Sequence, residues 1–138
     1  MRGLDTPVLL ALLDGQPAAR RLFDGAPADA FVTTEVNLFE LETLARQRSP
    51  GRSGRLAALE RLRRRLAVLP LESGGARRAA LFAADSKGGL SSSDALVLGI
   101  LDAHGASELV TNDPARFAAA HGRLQVVPMP RSKSKKRE

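Results

Sequence analysis

An α/β fold with a mainly parallel central sheet covered by helices follows from three features of this sequence. Short apolar or β-branched runs alternate with segments of helical periodicity. Helix-start residues stand directly behind several of those runs, and glycine or proline breaks the chain between elements. No internal repeat interrupts this alternation, and 138 residues are enough for one domain that buries roughly two-thirds of the surface its unfolded form exposes.

The first strand is expected at Gly3-Leu4-Asp5, with Thr6 as the N-cap of a helix whose first residue is Pro7 and whose Leu9, Leu12 and Leu13 face inward. Gly15, Gln16 and Pro17 turn the chain into a second short helix through Leu22 and Phe23, which the loop from Asp24 to Pro27 ends. Ala30-Phe31-Val32-Thr33 reads as the next strand, and Thr34 caps a helix running to about Gln47. The Pro/Gly-rich stretch 49–54 separates it from a helix carrying Leu56, Leu59, Leu62 and Leu66 at spacings of three and four. Residues 67–71 form a strand, and Ser73 opens an alanine-rich helix stopped near Lys87 by Gly88-Gly89. Ser91 to His104 is the clearest helix, with Leu96, Val97, Ile100 and Leu101 on one face and Gly105 at C′. Glu108–Thr111 is a strand, Pro114 to Ala120 a short helix, and Leu124 to Val127 the last strand.

Composition narrows the function classes. Cysteine is absent, which excludes thiolate zinc sites and redox motifs and gives no sign of an oxidising compartment. The start M-R-G-L-D lacks a signal-peptide core, and no apolar stretch approaches the ~18 residues of a membrane span, so a soluble cytoplasmic protein without a membrane role is expected. The net charge is +6, of which the tail 131–138 supplies +4. Those eight residues are too polar and too alike in charge to pack, and are expected to be a basic disordered tail behind a domain of residues 1–130. Within the domain, residues 46–65 hold eight arginines and a single acid, Glu60. That segment is either a solvated helix face or a surface for nucleic-acid backbone or an acidic partner. With no Trp or Tyr and five Phe, stacking of bases on aromatic rings is not the expected mode of binding.

Four acids carry the chemistry. Asp5 and Asp113 follow strand ends, Glu40 lies in the second turn of the helix after a strand, and Asp94 lies in the first turn of its helix. Ligands collect beyond the carboxyl ends of the strands in open α/β sheets, so all four can project toward one edge. Gathered there, they repel one another unless a cation sits among them, and an oxygen-only pocket suits a hard divalent ion of the kind used in phosphodiester cleavage. Each acid also has a structural explanation. Asp113 precedes Pro114 as an N-cap would, Asp94 stands three residues after Ser91 in a capping arrangement, and Asp5 can bond backbone amides of the Asp-Thr-Pro turn. Glu40 differs, because Val36, Asn37, Thr43 and Leu44 give it a mostly apolar helix surface, where a carboxylate needs a compensating partner. Glu42 has an ordinary one in Arg46, four residues on. His104 and His121 suit helix C-termini, Ser91-Ser92-Ser93 suits capping, and the Gly74-Gly75 and Gly88-Gly89 pairs lack the spacing of a phosphate loop.

The order L-D-T near the start, V-N-L-F-E-L in the first third, L-S-S-S-D-A-L-V-L-G-I-L late and L-V-T-N-D-P-A-R-F near the end resembles the PIN domain, most closely the small single-domain VapC-type toxins. The resemblance covers about residues 1–128. It implies a three-layer α/β/α sandwich and a Mg²⁺- or Mn²⁺-dependent endoribonuclease that acts on RNA, is silenced by a cognate antitoxin protein and forms a homodimer. It places the family's catalytic and metal-binding acids on Asp5, Glu40, Asp94 and Asp113, and its accompanying hydroxyl on Thr111, there to hydrogen-bond a carboxylate or a metal-bound water. Arginines of the 46–65 segment are expected to position RNA backbone. The chain departs from the family at Pro7, where Asn is usual, and at Leu44-Ala45, where a glycine often follows the E-L block. Two other classes remain open: a PIN-like module that binds RNA or protein without cleaving, and an aspartate-dependent phosphatase, although proline at position 7 breaks the D-x-D pair typical of that chemistry.

Overall fold

The computed structural model describes residues 1–118 and 124–130, so His121 and the tail 131–138 lie outside the described residues, as does the end of the helix expected to reach Ala120. Five strands, β1 (Arg2–Leu4), β2 (Phe31–Thr34), β3 (Ala67–Leu69), β4 (Glu108–Thr111) and β5 (Gln125–Pro128), pair in the order β3-β2-β1-β4-β5, and every pairing is parallel. The helices are α1 (Thr6–Leu13), α2 (Pro17–Arg20), α3 (Glu35–Ala45), α4 (Arg52–Arg65), α5 (Ser73–Asp85) and α6 (Ser92–Ala103). Single 3₁₀ turns follow at Arg21–Phe23, Ala28–Ala30 and Pro114–Phe117.

Alternation along the central strands divides the core in two. Leu4, Phe31 and Val110 point to one face, where Val8 and Leu9 of α1, Leu38 and Leu41 of α3 and Leu59 of α4 meet them. Val32 and Leu109 point to the other, against Val97, Leu98 and Leu101 of α6 and Phe117. This is a three-layer α/β/α sandwich, with its central strands buried on both sides as a parallel sheet requires. Each fully buried leucine contributes about 1.5–3 kcal/mol, so the two apolar layers, rather than the short ladders, hold the sheet together. Gly3 lets Leu101 seat on the sheet, since a Cβ there would lie 2.7 Å from two of its side-chain carbons. Helices α5 and α6 approach more closely still, and a Cβ on Gly99 would fall 2.4 Å from the Gly75 carbonyl oxygen.

The differences from the expected element boundaries have local causes. Strand β1 ends at Leu4, and Asp5 rather than Thr6 is the N-cap of α1: the Asp5 carbonyl accepts from the Val8 and Leu9 amides, leaving Thr6 at N1 and Pro7 at N2. The second short helix tightens into a 3₁₀ turn at Arg21, and α3 ends at Ala45 rather than near Gln47. Strand β3 stops at Leu69, before Pro70, while α5 opens at Ser73 as expected. That helix ends at Asp85, with Lys87 and Gly88 both at positive φ in the turn that follows. Strand β5 begins at Gln125 and extends to Pro128, which the sheet tolerates because β5 is an edge strand. Thr34 and Ser91 cap α3 and α6, and Gly105 has a φ of +76° beyond α6. No helix among the described residues is long and apolar enough to cross a membrane.

Candidate active site

The sheet order reverses at β1, which lies between β2 and β4, and a crevice opens there beyond the carboxyl ends of the strands. Asp5 leaves the end of β1 and Thr111 ends β4 beside it, so the topology alone makes these two neighbours.

Asp5 is 1% exposed, and its carboxylate is the centre of the arrangement. Its Oδ2 accepts from Thr111 Oγ1 at 2.7 Å and from Arg116 Nη2 at 2.6 Å, while Oδ1 accepts from Asn37 Nδ2 at 3.2 Å. Its side chain makes no bond to the turn amides, so the turn-forming explanation of Asp5 does not hold. Asn37 is wholly buried and fixed by its own capping residue: Thr34 accepts its backbone N–H at 3.1 Å and donates to its Oδ1 at 2.8 Å. The amide nitrogen of Asn37 also donates to Thr6 Oγ1 at 3.1 Å, and Thr6 donates in turn to Glu40 Oε1 at 2.6 Å. A continuous hydrogen-bonded chain thus joins the cap of α3 to Asp5 on one branch and to Glu40 on the other.

Asp94 enters from the opposite layer. Ser91 caps α6 by accepting the Asp94 amide at 3.1 Å, so capping is done by the serine, and the Asp94 carboxylate turns to Arg116 instead. Arg116 Nε lies 3.0 Å from Asp94 Oδ2, and Nη2 lies 3.3 Å from Oδ1. The guanidinium therefore bridges Asp94 and Asp5. Burial disfavours its charge, but the hydrogen bonds to Asp94 and the negative charge of Asp5 more than offset this and raise its pKa above the ordinary arginine value.

Asp113 is set apart. It occupies the N-cap position of the Pro114–Phe117 turn, as expected, but its side chain accepts no capping bond and is exposed, while its backbone N–H donates to Thr111 Oγ1 at 3.3 Å. A pocket of about 700 Å³ opens over the site, lined by Thr6, Pro7, Phe39, Glu40, Asp94 and Arg116 among others, while Asp5 and Asp113 are not among the residues lining it. Among the described residues, no three acidic or histidine side chains stand close enough together to share an ion. The fold thus brings Asp5, Asp94, Glu40 and Thr111 into one network and attaches Asp113 to it through the backbone.

Three residues of this network escape a reading of the sequence: Thr6, expected only as a helix cap, Asn37 and Arg116. Asn37 could have been found as an amide three positions after the Thr34 cap and three before Glu40, on an otherwise apolar surface. Arg116 carries no such signal, because only the return of the chain after β4 sets it opposite α6. His104, at the C-terminus of α6, has Nδ1 2.9 Å from the Ile100 carbonyl oxygen. The 46–65 segment is less uniformly positive than its composition suggests. Arg46 and Arg63 both pair with Glu42, and Arg55 makes two bonds to Asp14, while Arg52, Arg61, Arg64 and Arg65 on α4 are exposed.

Among solved structures, the fold is similar to VapBC2 from Rickettsia felis bound to a promoter DNA fragment, with a TM-score of 0.78 and 16% identity over 92% of this chain and 97% of that one. It is similar to VapC20 of Mycobacterium tuberculosis, a sarcin–ricin-loop-cleaving toxin, with a TM-score of 0.69 and 21% identity over 89% and 98%. VapBC-5 from the same organism shares 27% identity over 92% and 97%, with a TM-score of 0.67. Comparison with curated proteins gives no significant match. The PIN domain profile matches residues 4–122, which is most of the sequence, and the chain belongs to the PIN domain family.

Proposed function

We propose that this protein is a Mg²⁺- or Mn²⁺-dependent endoribonuclease and the toxin of a VapC-type toxin–antitoxin pair. The observation that carries the proposal is the joining of Asp5, Glu40 and Asp94, from three separate elements, in one hydrogen-bonded network at the carboxyl edge of the sheet, with Glu40 and Asp94 lining the pocket above it. Membership of a family of nucleases supports the activity class, and the antitoxin-bound VapBC relatives support a cognate antitoxin partner. A homodimer is part of the same proposal.

By donor type the set suits a hard cation, although no three of its carboxylates stand together while Arg116 lies between Asp5 and Asp94. The set consists of oxygens only, and Arg116 already stands in for positive charge between Asp5 and Asp94. Asp5, Glu40, Asp94 and Asp113 would hold the ion, directly or through water. When bound, it supplies a water of lowered pKa and offsets charge on the phosphate oxygens. The protein's own part is orientation. Thr111 and Asn37 fix the Asp5 carboxylate, and Asn37 does from α3 what the family's asparagine at the position of Pro7 does not do here. Thr6 donates to one oxygen of Glu40, a residue that lines the pocket, and so fixes a carboxylate that can take a proton from a water there. The exposed arginines of α4 supply sequence-independent attraction for RNA backbone.

A labelled RNA incubated with the purified protein tests this reading. Cleavage with Mg²⁺ or Mn²⁺, lost with EDTA and lost in Asp94→Asn, is expected; cleavage that survives EDTA contradicts it. A second reading, a module that binds RNA or protein without cleaving, is favoured by one observation, the ion pairing of Asp5 and Asp94 with Arg116. Binding of RNA with no cleavage under any divalent ion would select it.

A further inference from the structure

We propose that Arg116 is an internal counter-cation, which a divalent ion must displace from Asp5 and Asp94 before the site is loaded. The inference rests on the reading of those acids as metal ligands and adds to it a residue that regulates access to them.

The argument begins with lone pairs. A carboxylate oxygen accepts about two hydrogen bonds, and both places on Asp5 Oδ2 are filled, one by Thr111 and one by Arg116. Arg116 also occupies both oxygens of Asp94. A ligand bond from Asp5 Oδ2 therefore requires a donor to leave; Asp5 Oδ1, which accepts from Asn37, and each Asp94 oxygen keep one place, but an ion shared by the two aspartates takes the position the guanidinium holds between them. Thr111 is wholly buried within β4 and held by the sheet. The Arg116 side chain is 34% exposed and stands on a single 3₁₀ turn at the rim of the pocket, so it can swing to solvent without opening the core.

Charge explains why the arrangement is stable before exchange. A carboxylate as buried as Asp5 is strongly unfavourable with no cation beside it, and the guanidinium supplies one. Its contact with the Phe117 ring, 4.6 Å from the centroid, holds the side chain in this position. A divalent ion brings twice the charge to the same two carboxylates and returns the guanidinium to water. Loading is then a competition, and the apparent ion affinity is lowered by the fraction of molecules in which Arg116 is still bound.

Calorimetric titration of Mn²⁺ into the full-length protein, Arg116→Met and Arg116→Lys tests this without an activity assay. Methionine fills much of the same space without charge and should tighten Mn²⁺ binding by about tenfold or more, as expected for loss of a charge-assisted competitor. Lysine keeps the charge and should stay near the wild-type affinity. Equal affinities for wild type and Arg116→Met would overturn the inference while leaving the metal site intact. No binding by any of the three would overturn the metal-ligand reading on which it depends. Should Arg116→Met fail to fold, the wild-type protein decides by NMR. The Arg116 Nε–H resonance should move as Mg²⁺ is added, with the same midpoint as binding, and a signal unmoved at saturating Mg²⁺ would overturn the displacement.

Discussion

Asp5 shows how much one side chain depends on its surroundings. Its carboxylate accepts from Thr111, Asn37 and Arg116 while nearly wholly buried, so its position is fixed by donors from β4, α3 and the turn after β4. Thr111→Val should therefore weaken folding by about 1–3 kcal/mol, because it removes a buried donor and keeps the shape; urea denaturation measures it, and an unchanged midpoint would refute the role given to the hydroxyl. Asp94 is partly exposed and its helix is capped by Ser91, so Asp94→Asn should leave stability near wild type and abolish RNA cleavage. Circular dichroism melting beside the cleavage assay separates the two effects. Asp5→Asn is the less clean variant, since an amide nitrogen would face the donors now directed at Asp5. The acids themselves stand out in the sequence, because carboxylates at strand ends and on an apolar helix surface are unusual enough to notice. Asn37 and Arg116 do not, since their bonds to Asp5 span 32 and 111 residues of chain and only the fold makes them.

Secondary structure was readable wherever a cap and a periodic run agreed, as at Thr34 before α3 and Ser91 before α6. It shifted by a residue or more where two signals competed, as at Asp5 and Thr6, both able to cap α1. What sequence periodicity does not carry is how closely helices pack. On α6, Gly99 looks like a weak point in a good helix, but a Cβ there would meet the Ala79 backbone nitrogen at 2.5 Å. Gly99→Ala should force α5 and α6 apart and destabilise by roughly 1–3 kcal/mol or more, although alanine is the better helix former; a rise in melting temperature would contradict this. Between α3 and α4 an ion pair adds to the apolar contact of Leu38 and Leu41 with Leu59. The Glu42 pKa is lowered, first by the hydrogen bond from Arg46, against a smaller opposing effect of desolvation, and further by Arg63. A carboxylate depressed in the folded state stabilises above its unfolded pKa and loses that contribution as pH falls through the folded one. Glu42→Gln should accordingly be slightly less stable than wild type at neutral pH, with the gap closing on acidification below the ordinary glutamate range and shrinking in high salt. Urea midpoints against pH, for both proteins, check the sign.

Across the whole molecule, the switch in strand order at β1 is what turns scattered residues into a site. It sets β1 against β4, so Asp5 and Thr111 meet although 106 residues separate them, and it lets α3 and α6 approach the same crevice from opposite layers. Alternation of strand and helix signals reveals the layers, and the family resemblance supplies the topology that alternation alone leaves undetermined. The charge distribution adds a further expectation. Removal of residues 131–138 should leave the rate of cleavage at saturating RNA unchanged but reduce the salt dependence of RNA binding, because five basic residues leave with one acid; an identical slope of affinity against salt would exclude the tail from the interface. The account as a whole turns on whether the acids at this sheet edge hold a metal ion. Anomalous diffraction from a Mn²⁺-soaked crystal measures that directly: a peak among Asp5, Glu40 and Asp94, with Arg116 turned away, is the predicted result, and Arg116 still joined to both aspartates at saturating Mn²⁺ with no peak nearby would contradict it.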